Sequence, residues 1–273
     1  MNKGLNGIKN IVWALCVLAA LVALLVGLIF AMSGKFSGER PDGYLHLDGS
    51  GYQKAPKQTA EGQTVSASGE LVGTQDRGLE YVLAMTYLCD GSLAGIKDYA
   101  ASVGVDREVE VWTHTGSGMP AVSAATQVII LPSDKSVITP GSAAMVRRPA
   151  RIVIYLGGDE LANATKEDFV SGYAALIQSI RQASSDTKIL CCTVGSISPS
   201  YLSTDGLTPE LIAQANGWIR EVCASTGCYL ADVASVLNGE EGYIKDGYVT
   251  ANGRTLSDKG IAALTDYLRY HAI

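Results

Sequence analysis

VLAMTYLCDGSLAGI, residues 82–96, decides the fold. Its first eight residues are an apolar run of strand length that stops at Asp90-Gly91, a turn-forming pair, and an amphipathic pattern over 93–102 follows. A short apolar run bounded by a turn predicts a buried strand, and the pattern after it predicts a helix. The same alternation continues along the chain. Further strands are predicted at 108–112, 151–156, 188–194 and 228–232, and further helices at 142–147, 166–184, 209–225 and 257–271. Thr165 with Asp168 three residues on has capping-box spacing, and Thr208-Pro209 places a cap before a first-turn proline. Strands alternating with helices imply a parallel sheet covered on both faces, hence an α/β domain of three layers.

In doubly wound sheets ligands bind beyond the carboxyl ends of the strands, where the strand order reverses. That edge would receive Asp90 and Gly91 from one turn, and Gly157, Gly158, Asp159 and Glu160 from another. The loop WTHTGSGM, 112–119, would add Gly116 or Gly118. An Asp or Gly after a strand is ordinarily turn chemistry. Their convergence on one rim makes them candidates for a site.

The rest of the chain bounds the function. Its 273 residues suffice for one α/β domain of roughly 200 residues with an attachment. A net charge of −6 speaks against nucleic acid as a partner, which demands clustered Lys and Arg. Arg147-Arg148, the paired basic residues, suit a helix end. Residues 11–32 form a run of 22 without a charge, preceded by Lys3 and Lys9 and followed by Lys35. Such a run can cross a hydrocarbon core of ~30 Å, so it is expected to be an uncleaved anchor. The lysines place residues 1–10 in the cytoplasm and the remainder outside the cell membrane. A cleaved signal peptide is the alternative, but the apolar part of such a peptide spans only about 7–15 residues.

Residues 33–78 are rich in Gly, Ser, Gln, Thr and Lys and read as a flexible tether to a domain over 79–273. His46 within them has no evident partner. The six cysteines make no disulfide framework and show no metal-ligand spacing. Cys16 falls in the apolar run, Cys89, Cys191 and Cys192 in strands, and Cys223 and Cys228 flank a helix-to-strand turn, where buried thiols are expected. Neither a metal nor another cofactor is implied.

From about Leu79 to the C-terminus the order and spacing of the blocks resemble the SGNH/GDSL hydrolase family. That family's first block reads apolar-apolar-Gly-Asp-Ser, three residues, then Gly and an apolar residue. In LCDGSLAGI, Cys89 stands for the Gly, Asp90 for the Asp and Gly91 for the nucleophilic Ser, with Gly95 and Ile96 matching. Gly118 corresponds to the glycine of the second block. RIVIYLGGDEL is similar to the third block, Gly-x-Asn-Asp, with Gly157 kept, Asp159 for the Asn and Glu160 for the Asp. KILCCTVGSISPS is similar to the strand that ends in a Ser-x-x-Pro loop. Asn252-Gly253-Arg254-Thr255-Leu256 matches Asp-Gly-x-His-Leu, with Asn252 for the Asp and Thr255 for the His. The resemblance implies a flavodoxin-like doubly wound parallel sheet of about five strands.

Each exchange removes something that ester hydrolysis requires. Gly91 has no side chain to attack, and a Thr255 hydroxyl cannot take a proton as imidazole does. Asn252 carries no charge to orient a base. Asp159 would put a carboxylate where the resemblance implies an oxyanion donor, and losing one such donor costs about 2.7–4 kcal/mol. A displaced nucleophile, Ser92, would need His114, because His46 lies in the tether and His271 two residues from the end. The domain is therefore expected to bind a ligand, a cell-surface glycan or a protein partner, without hydrolysing it. Candidate contacts are Asp90, Ser92, His114, Gly116, Asp159, Glu160 and Arg254. An active hydrolase rebuilt on Ser92 or on Asp90, Asp159 and Glu160 is the alternative. Those three acids could hold Ca²⁺ or Mg²⁺, accept hydrogen bonds from sugar hydroxyls or an amino group, form an acid/base pair, or simply cap a helix and face water.

Overall fold

The computed structural model describes residues 69–114 and 118–273. The expected cytoplasmic segment, the anchor at 11–32, the tether as far as residue 68, Cys16, His46 and Gly116 lie outside them. Among the described residues no helix is long and apolar enough to cross a membrane.

In chain order the elements are α1 (Leu79–Leu83), β1 (Thr86–Cys89), α2 (Ile96–Ser102), β2 (Val111–Trp112), β3 (Ile129–Ile130), β4 (Val137–Ile138), α3 (Pro140–Arg147) and β5 (Arg151–Tyr155). A 3-10 turn (Leu161–Asn163) precedes α4 (Lys166–Ala183), β6 (Lys188–Cys192), α5 (Pro209–Thr226), β7 (Tyr229–Ala231), α6 (Ala234–Leu237) and α7 (Asp258–Arg269). Five strands form one parallel sheet in the order β2-β1-β5-β6-β7. Counting only its own members, that is the doubly wound order 2-1-3-4-5, with the reversal between β1 and β5. The chain moves outward one way through α2 and the other way through α4 and α5. Right-handed crossovers therefore put these helices on opposite faces. On one side α4 packs between α3 and α5; on the other α7 packs against α1, α2 and α6. Every residue of β1 and β7 is buried, as a sheet covered on both faces requires.

Helix starts follow local chemistry. The Thr165 hydroxyl accepts the Asp168 N–H (3.1 Å) and donates to the Asp168 carboxylate (2.8 Å), giving α4 the cap its spacing predicts. Thr208 accepts the Leu211 N–H (3.2 Å) ahead of Pro209, and Ser257 caps α7 through the Gly260 N–H (3.3 Å). Arg147 closes the last turn of α3 and pairs with Asp134 (2.9 Å), while Arg148 is its left-handed C-cap. Cys89, Cys191, Cys192, Cys223 and Cys228 are free and buried.

Several boundaries differ from expectation. The strand expected over 82–89 begins only at Thr86, because residues 79–83 are helical with Val82 and Leu83 buried. An apolar run carries no period that separates a buried strand from a buried helical turn. The strand expected over 108–112 shrinks to two residues, and the hairpin of β3 and β4 had no sequence signal strong enough to read. Residues 69–78, at the end of the stretch read as tether, are bound to the domain. Leu71 is buried and its N–H donates to the Leu230 carbonyl (2.9 Å), the Arg77 N–H donates to the Arg269 carbonyl (3.1 Å), and Asp76 pairs with Arg269. Leu71→Ala is accordingly expected to lower the free energy of unfolding by about 2–5 kcal/mol in denaturant titrations, the cost of emptying a leucine-sized core site. A leucine in a free tether would leave it unchanged.

Candidate functional site

Because β1 and β5 are neighbours that lead away in opposite directions, their carboxyl ends leave a crevice. A third segment closes it: the Leu256 N–H donates to the Ser92 carbonyl (2.8 Å), drawing the turn before α7 against the turn after β1. The resulting cavity, of about 390 Å³, is lined by Gly91, Ser92, His114, Gly118, Asp159, Asn252, Arg254 and Thr255, together with Thr113 and Tyr201.

Arg254 organises the interior. Its Nη2 donates to Asp159 Oδ1 and stands 3.6 Å from Asp90 Oδ2, while Nη1 is 3.9 Å from Asp205 Oδ2. The other oxygen of Asp159 accepts the Met119 N–H (2.6 Å). Asp90, 1% exposed, accepts the Ser92 N–H (2.9 Å) and the Ser92 hydroxyl through Oδ1. Its carboxyl is pushed up to about 6, first by burial and then by the charge of Asp159, with Arg254 and Ser92 pulling the other way. Burial pulls the Arg254 guanidinium down, but Asp90 and Asp159 outweigh it and the net shift is upward.

Two glycines make room for this pair. A Cβ at Gly158 would lie 2.8 Å from Arg254 Nη2, and one at Gly118, where φ is +142°, would lie 2.8 Å from Asp159 Oδ2. Asn252 folds its turn inward: Oδ1 accepts the N–H groups of Arg254 and Thr255 (2.9 Å each), and Nδ2 donates to the Thr255 hydroxyl (2.8 Å). His114 Nδ1 lies 2.6 Å from the Val128 carbonyl; a carbonyl only accepts, so this nitrogen is the donor. Among the described residues no hydroxyl lining the cavity is hydrogen-bonded to that imidazole.

Most of the residues singled out in the sequence meet here, with three departures. Glu160 does not join the acids: it is exposed, in a left-handed turn (φ +53°) that carries it away from the cavity. Gly157 faces the core, where a Cβ would meet Ile219, Val194 and Phe169. Asp90 is the floor beneath the cavity rather than its lining. Tyr201 and Asp205 escaped the sequence reading. The Tyr201 hydroxyl donates to Asp205 (2.9 Å), which faces Arg254, and both sit in a Ser- and Thr-rich loop without a motif.

Gly158→Ala is expected to displace Arg254 and lower the thermal unfolding midpoint by several degrees, the shift that about 1–3 kcal/mol of overpacking produces. Gly217→Ala, at a helical position with open space, should not. The folded pKa of Asp90 is above the unfolded value, so the folded state binds more protons between about pH 4 and 6. Stability from this group is present below that window and is lost as pH rises through it. Asp90→Asn should flatten that part of the unfolding profile, and an unchanged profile would contradict the assignment.

Residues 122–252 match the family model described as GDSL-like Lipase/Acylhydrolase family, a span that takes in Gly157 and Asp159 and ends at Asn252. No curated protein matches the chain. Solved structures similar to it include a carbohydrate esterase family 3 protein from Talaromyces cellulolyticus (11% identity, 67% of this chain and 94% of that one, TM-score 0.45). TesA (17%, 67% and 94%, 0.43) and the acetyl xylan esterase AlAXEase (16%, 67% and 97%, 0.42) are others. With the doubly wound sheet and the order of its blocks, the matched span supports an SGNH/GDSL hydrolase fold for the domain.

Proposed function

We propose that this domain binds a ligand in the cavity without hydrolysing it, and that it does so on the outer face of a membrane to which residues 11–32 anchor it. The observation that carries the reading is the Arg254–Asp159 ion pair, which lines the same cavity as Gly91 and Thr255. Acyl transfer needs a nucleophile, a base in contact with it and donors aimed at the developing oxyanion. Gly91 offers only backbone, the Thr255 hydroxyl is engaged by Asn252, and Asp159 presents negative charge. What the cavity does offer is a set of fixed donors and acceptors around a small volume, the usual equipment of a binding site. A cell-surface glycan or a protein segment suits it. The charge-free run and the lysines before it support the anchored topology.

One observation favours a second reading, in which hydrolysis persists. The Ser92 hydroxyl donates to Asp90, whose pKa of about 6 would let it act as a weak base. Hydrolysis of p-nitrophenyl acetate by the purified full chain separates the two. The expected rate equals that of buffer for wild type, Ser92→Ala and His114→Ala alike. Turnover that rises as Asp90 ionises and disappears in Ser92→Ala would establish the second reading and sink the first.

A further inference from the structure

We propose that the cavity recognises an uncharged saccharide through one of its hydroxyl groups, seated over Gly91, with Ser92 accepting a hydrogen bond from it and Thr255 donating one to it. The inference rests on the reading of the cavity as a binding site and names the chemistry of what it takes.

Hydrogen-bond polarity is the first argument. The Ser92 hydroxyl donates to Asp90 Oδ1, which also accepts the Ser92 N–H (2.9 Å), so this side chain has only lone pairs left to offer. Thr255 is committed the opposite way. Its hydroxyl oxygen accepts from Asn252 Nδ2 (2.8 Å), and among the described residues no acceptor takes its proton. The Leu256 N–H, donating to the Ser92 carbonyl (2.8 Å), holds the two stretches of chain together where both residues line the cavity. An acceptor beside a donor matches a hydroxyl, which is both at once. An ether or a carbonyl would suit Thr255 but face Ser92 lone pair to lone pair, and an ammonium would do the reverse. Arg254 and Asp159, also in the lining, pair with each other, so the match calls for no charge on the ligand.

Gly91 is the second argument, independent of the first. Gly118 is crowded by Asp159 and Gly158 by Arg254, so neither has room for a side chain. At Gly91 a Cβ would meet nothing within 4 Å, and φ lies outside the left-handed region. Neither packing nor backbone conformation accounts for a glycine here. A glycine where a side chain would fit without strain forgoes the stability that a larger residue confers by restricting the unfolded chain. What it leaves is open space in the lining beside Ser92, where a ligand can lie against the main chain. A cavity of about 390 Å³ is at the small end of ligand sites and suits a short saccharide.

Calorimetric titration of the full chain in a sugar-free detergent tests this with cellobiose and its fully O-methylated derivative. Cellobiose should bind, and the derivative, whose oxygens only accept, should bind at least about tenfold more weakly. Ser92→Ala and Thr255→Val should each weaken cellobiose about three- to tenfold, and Thr255→Ser, which keeps the hydroxyl, should retain most of the affinity. Because one ligand hydroxyl bridges the pair, the double variant Ser92→Ala, Thr255→Val should lose less than the product of the single effects. Gly91→Leu should abolish binding without lowering the unfolding midpoint, which separates a filled cavity from a damaged fold. The inference is overturned if cellobiose does not bind, if the methylated derivative binds as well, if either single variant keeps full affinity, or if Gly91→Leu still binds. The non-hydrolytic reading falls only to ester turnover, so the two fail separately.

Discussion

Parallel strands cannot be joined by tight turns, and each crossover must close with the same hand. In this domain that constraint sends the chain from β1 and from β5 to opposite faces of the sheet, and neither crossover fills the gap between their carboxyl ends. The gap has to be furnished by side chains and by loops from elsewhere. Asp90 and Asp159 enter it because each is the first or fourth residue beyond its strand. The turn at 252–255 enters because one backbone hydrogen bond, from Leu256 to Ser92, draws it there.

Once two carboxylates are delivered to a half-buried gap, electrostatics dictates the rest. Burial and the charge of Asp159 raise the cost of ionising Asp90, and Arg254, close to both carboxylates, acts against it. Truncating a single partner of such a cluster leaves a charge unpaired in a dry setting, which costs far more than the pair itself contributes. Gly118 and Gly158 belong to the same solution, since the ion pair uses the volume that their side chains would take. The site is therefore coupled: its acids, its arginine and its two glycines tolerate change together more readily than one at a time.

How much of this could be read from the chain depends on range. The parallel sheet was legible because strand and helix signals are local, and Thr165, Thr208 and Pro209 mark helix starts within three residues. The gathering of Asp90, Asp159 and Thr255 was legible through the resemblance in block order. Arg254 was visible as a neighbour of Thr255, but not as the partner of carboxylates distant in sequence, because nothing local encodes that pairing. Glu160 was misjudged for a local reason: a left-handed residue after Asp159 turns the chain, and adjacent acids part. Leu71 was missed because one apolar residue in a polar stretch gives no period, and Asp205 and Tyr201 because their loop has turn composition and no motif.

The segment 69–71 has one more consequence. Glu70 bridges Leu230 in parallel, with Leu71 donating to the Leu230 carbonyl and Leu230 donating to the Gly69 carbonyl. These three residues therefore occupy the outer edge of β7, where a sheet otherwise offers a row of unclaimed N–H and C=O groups to any extended chain that drifts past. A strand edge already occupied from within the same chain offers no such row to a second copy.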